Sequence, residues 1–287
     1  MKNPKGKNLK MTELHSYICP KCGEPLHREN GSFKCTSNHA YDTARSGYVN
    51  LLLVQQMNAK LPGDNKLMVN ARKSFLGKGY YDVLINAFSD CVKRYSKDGG
   101  IVLDAGCGEG IYTVSAAKKV PEMFFMGTDI SKTAADAAAK RAKAESISNV
   151  LFSVSSVFHL PVKSVSCDML TTLFAPWCGE EFLRVLKTDG TLIMVIPGER
   201  HLWQLKPAIY DDPYLNEPKE TIPDGFSLLE KIPVKSKIQL DNNSDIQDLF
   251  SMTPYYYKTS EEGHRRVEAL QELETEIEFE ILIYKKS

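Results

Sequence analysis

Two groups of residues have the types and spacings that chemistry requires. In the first, Cys19-Pro-Lys-Cys22 is followed twelve residues later by Cys35-Thr-Ser-Asn-His39. A C-x2-C pair and a C-x3-H pair together offer three thiolates and one imidazole. That is a full tetrahedral shell for structural zinc, with no position left for a substrate. Gly23 and Gly31 stand where the tight turns of such knuckles fall. A segment this small buries too little surface to fold alone, so Cys19, Cys22, Cys35 and His39 are expected to hold a metal that folds it.

The second group is Val102-Leu-Asp-Ala-Gly-Cys-Gly-Glu-Gly110, with Asp129 closing Phe125-Met-Gly-Thr-Asp129. Gly106, Gly108 and Gly110 let a backbone turn tightly and approach a ligand that any Cβ would push away. The dinucleotide fingerprint needs a further glycine at position 111, where Ile111 stands, and no Gly-Lys-Ser/Thr follows to cradle a phosphate. Asp129 is placed to accept hydrogen bonds from two ribose hydroxyls. With Asp104 beside the turn, the pair suits a nucleoside that carries an ammonium and a sulfonium but no phosphate. Asp-x-Gly-x-Gly-x-Gly with a second acid one strand later resembles the class I S-adenosylmethionine (SAM) methyltransferase pattern. Where many such enzymes place an acid for adenine, this chain has Ser155 and Ser156, and Ser155 is the expected contact.

The elements needed to position these residues are legible in the apolar pattern. Ile101 to Asp104, Met123 to Gly127, Val150 to Val154, Met169 to Leu173 and Leu192 to Ile196 read as buried strands. Tyr112 to Lys119, Ser131 to Glu145 and Glu180 to Leu186 read as the intervening helices, the second N-capped by Ser131. Alternation of this kind predicts an α/β fold, a class I Rossmann-like parallel sheet, with a small N-terminal zinc-binding module attached. Between Asp64 and Lys93 apolar residues recur at helical spacing, and Gly77 and Gly79 divide them into two helices. Beyond Gly225 a β-rich tail is expected, with Glu274 to Tyr284 as an antiparallel final strand. The expected division is a flexible tail over 1–16, a zinc module over 17–50, a linker with helices over 51–95 and the catalytic domain over 96–287.

Methyl transfer from a sulfonium is an in-line displacement, so much of its catalysis is alignment. Phe174-Ala-Pro-Trp-Cys178 follows the fourth strand, where substrate meets the methyl group. Phe174 and Trp177 are candidates to stack on an extruded base. The loop lacks the Asn-Pro-Pro-Tyr arrangement suited to an exocyclic amine. Cys178 is separated from the proline by Trp177, unlike the nucleophile of cytosine C5 methylation, so it reads as structural. No acid in this loop offers itself as a base, and His201 is the one candidate acid-base group.

The formal charge of zero conceals an asymmetry: residues 1–80 hold 13 Lys or Arg against 5 Asp or Glu, and the remaining 207 hold 23 against 31. A basic N-terminal third is what a polyanionic partner requires, with Arg45, Lys60, Arg72 and Lys73 as candidate phosphate contacts. No apolar stretch, Leu51 to Val54 among them, approaches the length of a membrane span, and seven cysteines without a secretory pattern fit metal binding and buried thiols. A cytoplasmic protein that makes no use of a membrane is expected.

Taken in order, these residues resemble the zinc-containing 23S ribosomal RNA guanine-N1 methyltransferases over nearly the whole chain. The marks are Cys19, Cys22, Cys35 and His39, then Asp42-Thr-Ala-Arg-Ser-Gly-Tyr-Val-Asn-Leu51, Ala71-Arg72 with Phe75-Leu76, the glycine turn, Ala175-Pro176, and His201-Leu202 with Leu205-Lys206. The resemblance implies methyl transfer to N1 of a guanine in a hairpin of the large ribosomal RNA. It also implies cofactor contacts at Tyr81, Gly108, Glu109 and His201, and in some members an effect on macrolide susceptibility. A homodimer in which two zinc modules clamp one hairpin is compatible with it. Two other readings share part of the pattern. A small-molecule methyltransferase of quinone or metabolite type has no use for a zinc knuckle and a basic N-terminus. A non-catalytic RNA- or SAM-binding protein would keep the knuckle but could lose the glycine turn, which here is intact.

Overall fold

The structure, a computed structural model, describes residues 16–57, 63–217 and 222–287. The first fifteen residues of the expected tail, and Lys60, lie outside them. Ser16 does not belong to a loose tail: it is buried, and its carbonyl accepts from the Lys163 amide at 2.8 Å.

The chain begins with three short antiparallel strands, β1 (His27–Glu29), β2 (Ser32–Lys34) and β3 (Ala40–Asp42), and then β4 (Val49–Asn50). Two helices follow, α1 (Lys66–Gly77) and α2 (Asp82–Arg94), separated at Gly79 as the glycine spacing predicts. Gly79 has φ +84°, and a Cβ there would meet the Asp82 carboxylate at 2.9 Å. Then β5 (Ile101–Ala105), α3 (Ile111–Lys119), β6 (Phe124–Asp129), α4 (Lys132–Ala144) and β7 (Val150–Val154) alternate. Ser131 caps α4 by accepting from the Ala134 amide, and the alanines of α4 give it the slim face that packs on the sheet.

The second half adds β8 (Cys167–Leu173), α5 (Gly179–Val185), β9 (Leu186–Pro197), the short α6 (Lys206–Ile209) and β10 (Phe226–Leu240). The chain ends with α7 (Asn243–Ser251), α8 (Glu261–Ala269) and β11 (Leu273–Lys286). The β-rich tail expected after Gly225 therefore needs correction, because two helices divide its strands. Their signals were the caps: Asn242 accepts from the Asp245 amide at 3.0 Å and Ser260 from Gly263 at 3.2 Å.

Eight strands form one sheet in the order β10-β11-β9-β8-β5-β6-β7-β4. Strands β4 to β9 pair in parallel and β11 runs antiparallel to β9, as expected of the final strand. Every residue of β8 is buried, as a strand covered on both faces should be. The zinc module is not a separate arm. Tyr17, Leu26 and Phe33 share one apolar cluster with Leu51, Phe124 and Val162, and Ile18 donates to the Pro161 carbonyl at 2.9 Å. Such a doubly wound sheet carries its ligands at the carboxyl ends of the parallel strands, where the loops after β5, β6 and β8 meet.

Candidate active site and zinc centre

The turn after β5 has the backbone its glycines permit: Gly106, Gly108 and Gly110 lie at φ +83°, +55° and +85°. At Gly110 a Cβ would sit 2.6 Å from the Ala138 methyl, so α4 and the turn can pack only without one. Above Gly108 the nearest atom to such a Cβ is 3.7 Å away, on Arg72. That open approach is what a ligand needs.

The two carboxylates do different work. Asp104 is buried beneath the turn, accepting from the hydroxyls of Thr113 at 2.5 Å and Thr171 at 2.8 Å, and burial pushes its carboxyl up to about 6. It ties α3 and β8 to the turn rather than facing open space. Asp129 accepts from the Gly108 amide at 2.9 Å and the Ser131 amide at 2.8 Å, and burial raises its carboxyl. Each of its oxygens keeps an acceptor site for a ribose hydroxyl. Ser155 donates or accepts with Thr128 at the end of β7, and its amide binds the Asp129 carbonyl at 3.0 Å. Glu109 is buried with one carboxylate oxygen held by Arg141 at 2.9 Å and the other unpartnered.

Tyr81 and His201 come together although 120 residues apart. The Tyr81 hydroxyl is 3.5 Å from His201 Nε2, and both rings pack on Phe279. The Glu278 amide donates to His201 Nδ1 at 3.3 Å, so the proton belongs on Nε2, which donates to Tyr81. Burial holds the imidazole down at about 3, in its neutral form. With both nitrogens engaged, this ring is arranged to position Tyr81 and not to shuttle protons.

Phe174 follows β8 with φ +56°, strained for a residue with a Cβ, and is half exposed with its ring 5.7 Å from Phe279. Trp177 lies edge-on to Phe182 and Phe226, so part of the indole serves packing. Cys178 precedes α5 and is partly covered. Arg45 and Lys73 are exposed. Arg72 is not on the outer surface: it leans over the glycine turn and pairs with Asp64, a position its reading as a phosphate contact did not foresee. Sequence reasoning missed Thr113, Thr171 and Arg141, because a hydroxyl or guanidinium partner has no signature without the fold.

At the zinc centre the four ligand atoms of Cys19, Cys22, Cys35 and His39 lie within 4.8 Å of one another. The Cys22 and Cys35 sulfurs are 3.7 Å apart, and His39 Nδ1 is 3.5 Å from both Cys19 and Cys35 sulfurs. A tetrahedron with ordinary zinc bond lengths has S-S and S-N edges of roughly 3.8 and 3.5 Å, so these residues fit the metal. Gly23 at φ +76° and Asn38 at φ +62° close the two knuckles. The Tyr41 hydroxyl reaches the Cys19 sulfur at 3.1 Å.

A doubly wound sheet with an open glycine turn and an acid at its carboxyl edge, joined to a Cys3His cluster, is the arrangement of a class I SAM-dependent methyltransferase with structural zinc. Residues 96–249 match the methyltransferase-domain family, and residues 17–60 match the zinc-ribbon family described as "RlmA, N-terminal". The chain is 34% identical over 205 residues to the "Putative 23S rRNA (guanine-N(1)-)-methyltransferase" of Micromonospora griseorubida, covering 65% of this chain and 67% of that one. It is 32% identical to the 23S rRNA (guanine(748)-N(1))-methyltransferase of Streptomyces fradiae, over 67% of this chain and 66% of that one. A Bacillus subtilis (strain 168) relative, "Putative 23S rRNA (guanine-N(1)-)-methyltransferase YxjB", aligns over 96% of this chain and 98% of its own length at 25% identity. The chain belongs to the 23S rRNA (guanine-N1)-methyltransferase family.

Proposed function

We propose that this protein transfers a methyl group from SAM to N1 of a guanine in a hairpin of 23S ribosomal RNA, in the cytoplasm. The observation that carries this reading is the joining of an intact cofactor turn to a zinc ribbon of the matching family within one core. When bound, SAM would supply an electrophilic methyl on a sulfonium, leaving as the neutral thioether while the N1 proton of the guanine is released to solvent. The chain's own residues bind, orient and exclude water. Asp129 takes the ribose, with Ser155 beside the adenine, and the backbone of Gly106, Gly108, Glu109 and Gly110 gives the ligand its close approach. Asp104 holds that turn from beneath. Tyr81, fixed by His201, closes the wall between the cofactor and Phe279.

The half-exposed Phe174 offers a face for the extruded guanine, and Trp177 an edge. The zinc module, with Arg45 and Lys73 exposed near the N-terminal half, grips the RNA backbone. Two copies clamping one hairpin is the assembly we propose. Among the described residues no helix is long and apolar enough to cross a membrane.

The test is incubation with labelled SAM and 23S RNA transcribed without modifications, followed by nucleoside mapping and sizing of the protein. Labelled 1-methylguanosine is the expected product. Label appearing only on small molecules, or cofactor binding without turnover, would overturn the assignment.

A further inference from the structure

Arg72 projects from α1 onto the most open point of the glycine turn, with Nη1 3.7 Å from where a Gly108 Cβ would lie. Its other nitrogen donates to the Met252 carbonyl at 3.1 Å, at the end of α7. Nη1 is ion-paired with Asp64, and the two side chains are 26% and 28% exposed. Asp64 belongs to a stretch that crosses the end of β6. Ser131 donates its hydroxyl to the Asp64 carbonyl at 2.7 Å, and a Cβ on Gly63 would lie 2.7 Å from the Ile130 side chain. A carboxylate of the chain is thus seated on a guanidinium directly over the cofactor turn.

We propose that Arg72 is the anchor for the carboxylate of the cofactor's amino-acid end, and that Asp64 stands in for that carboxylate until the cofactor displaces it. The inference rests on the reading of SAM as the cofactor. The Gly108 amide is bonded to Asp129 at 2.9 Å, so with the ribose on Asp129 the cofactor would lie within reach of Arg72, whose Nη1 faces the same glycine. Met252 holds Nη2 and Asp64 takes Nη1, so one carboxylate can replace another on Nη1 without leaving the cation unpaired in a half-buried site. If Asp64 stayed in place, the incoming carboxylate would join Asp64 and Asp129 in one small region, and like charges so close repel. Exchange removes that repulsion.

The competing explanation is structural: Arg72 staples α1 to α7 through Met252 and does nothing else. Calorimetric titration of the full-length, zinc-loaded protein separates the two, using SAM and 5′-methylthioadenosine, which shares the adenosine and sulfur but lacks the amino acid. Arg72→Met should weaken SAM binding by about tenfold or more and leave methylthioadenosine within about twofold. Arg72→Lys, which keeps the charge but cannot hold Met252 and a carboxylate with two separate nitrogens, should fall between. Asp64→Asn should tighten SAM and leave methylthioadenosine unchanged. Equal weakening of both ligands by Arg72→Met, no weakening of either, or loss of SAM affinity in Asp64→Asn would overturn the anchor. A wild-type protein that binds neither ligand would instead sink the cofactor reading itself.

Discussion

Gly106 packs against Ala175 so closely that a Cβ at position 106 would lie within 3.0 Å of the Ala175 methyl. The glycine turn after β5 and the loop after β8 touch here. Gly106→Ala therefore meets a clash and a φ of +83° together. It should lower stability by about 1–3 kcal/mol and abolish measurable SAM binding. Thermal melts and titration check this, and a variant that binds SAM normally would show that the turn has another purpose.

Zinc should matter for more than the ribbon, since Tyr17, Leu26 and Phe33 share a cluster with Leu51 and Val162 of the catalytic half. Chelation is expected to lower the melting temperature and weaken RNA binding while SAM affinity survives. The hydroxyl of Tyr41, 3.1 Å from the Cys19 sulfur, gives a finer probe. Tyr41→Phe should reduce zinc affinity by about 10- to 100-fold, read by competition with a chromogenic chelator. Unchanged RNA affinity in the metal-free protein would remove the ribbon from substrate recognition.

The loop after β8 separates stacking from packing. Phe174→Ala should lower kcat/KM for RNA by about 5- to 100-fold with SAM affinity and melting temperature nearly unchanged, because the ring is half exposed. Trp177→Ala should also cost stability, since the indole contacts Phe182 and Phe226. Cys178→Ser should remain active; an inactive but folded serine variant would point to a covalent thiol. Steady-state kinetics beside melting curves distinguish these outcomes.

His201 should make stability pH-dependent. Its imidazole is held at about 3 in the fold, against 6.5 when free, so the unfolded chain binds the extra proton first as acid is added. The contribution of neutral His201 is complete above about pH 6.5 and is lost as pH falls from there toward 3. His201→Asn keeps an acceptor for the Glu278 amide and cannot titrate. Its melting temperature should fall less steeply than wild type between pH 7 and 5. Parallel slopes would mean that the ring is not buried in solution.

The local pattern of the chain determined a good deal. Five strands and three helices around the glycine turn are visible as apolar runs and 3.6-residue repeats, because each is a local consequence of covering one sheet on both faces. The zinc ligands are visible for the same reason: C-x2-C and C-x3-H are short-range geometry. Helices α7 and α8 escaped because each is only nine residues long and stands outside the strand-helix alternation that marks the others, with the caps Asn242 and Ser260 to announce it. Tertiary structure alone decided which distant groups meet. Thr113 and Thr171 converge on Asp104, His201 on Tyr81, Arg72 on Asp64 and the glycine turn, and the ribbon on the edge of the sheet. A side-chain hydrogen bond or ion pair, whether 8 residues apart as in Asp64 and Arg72 or 120 as in Tyr81 and His201, leaves no periodicity in the chain, so only the packed fold brings its partners within reach.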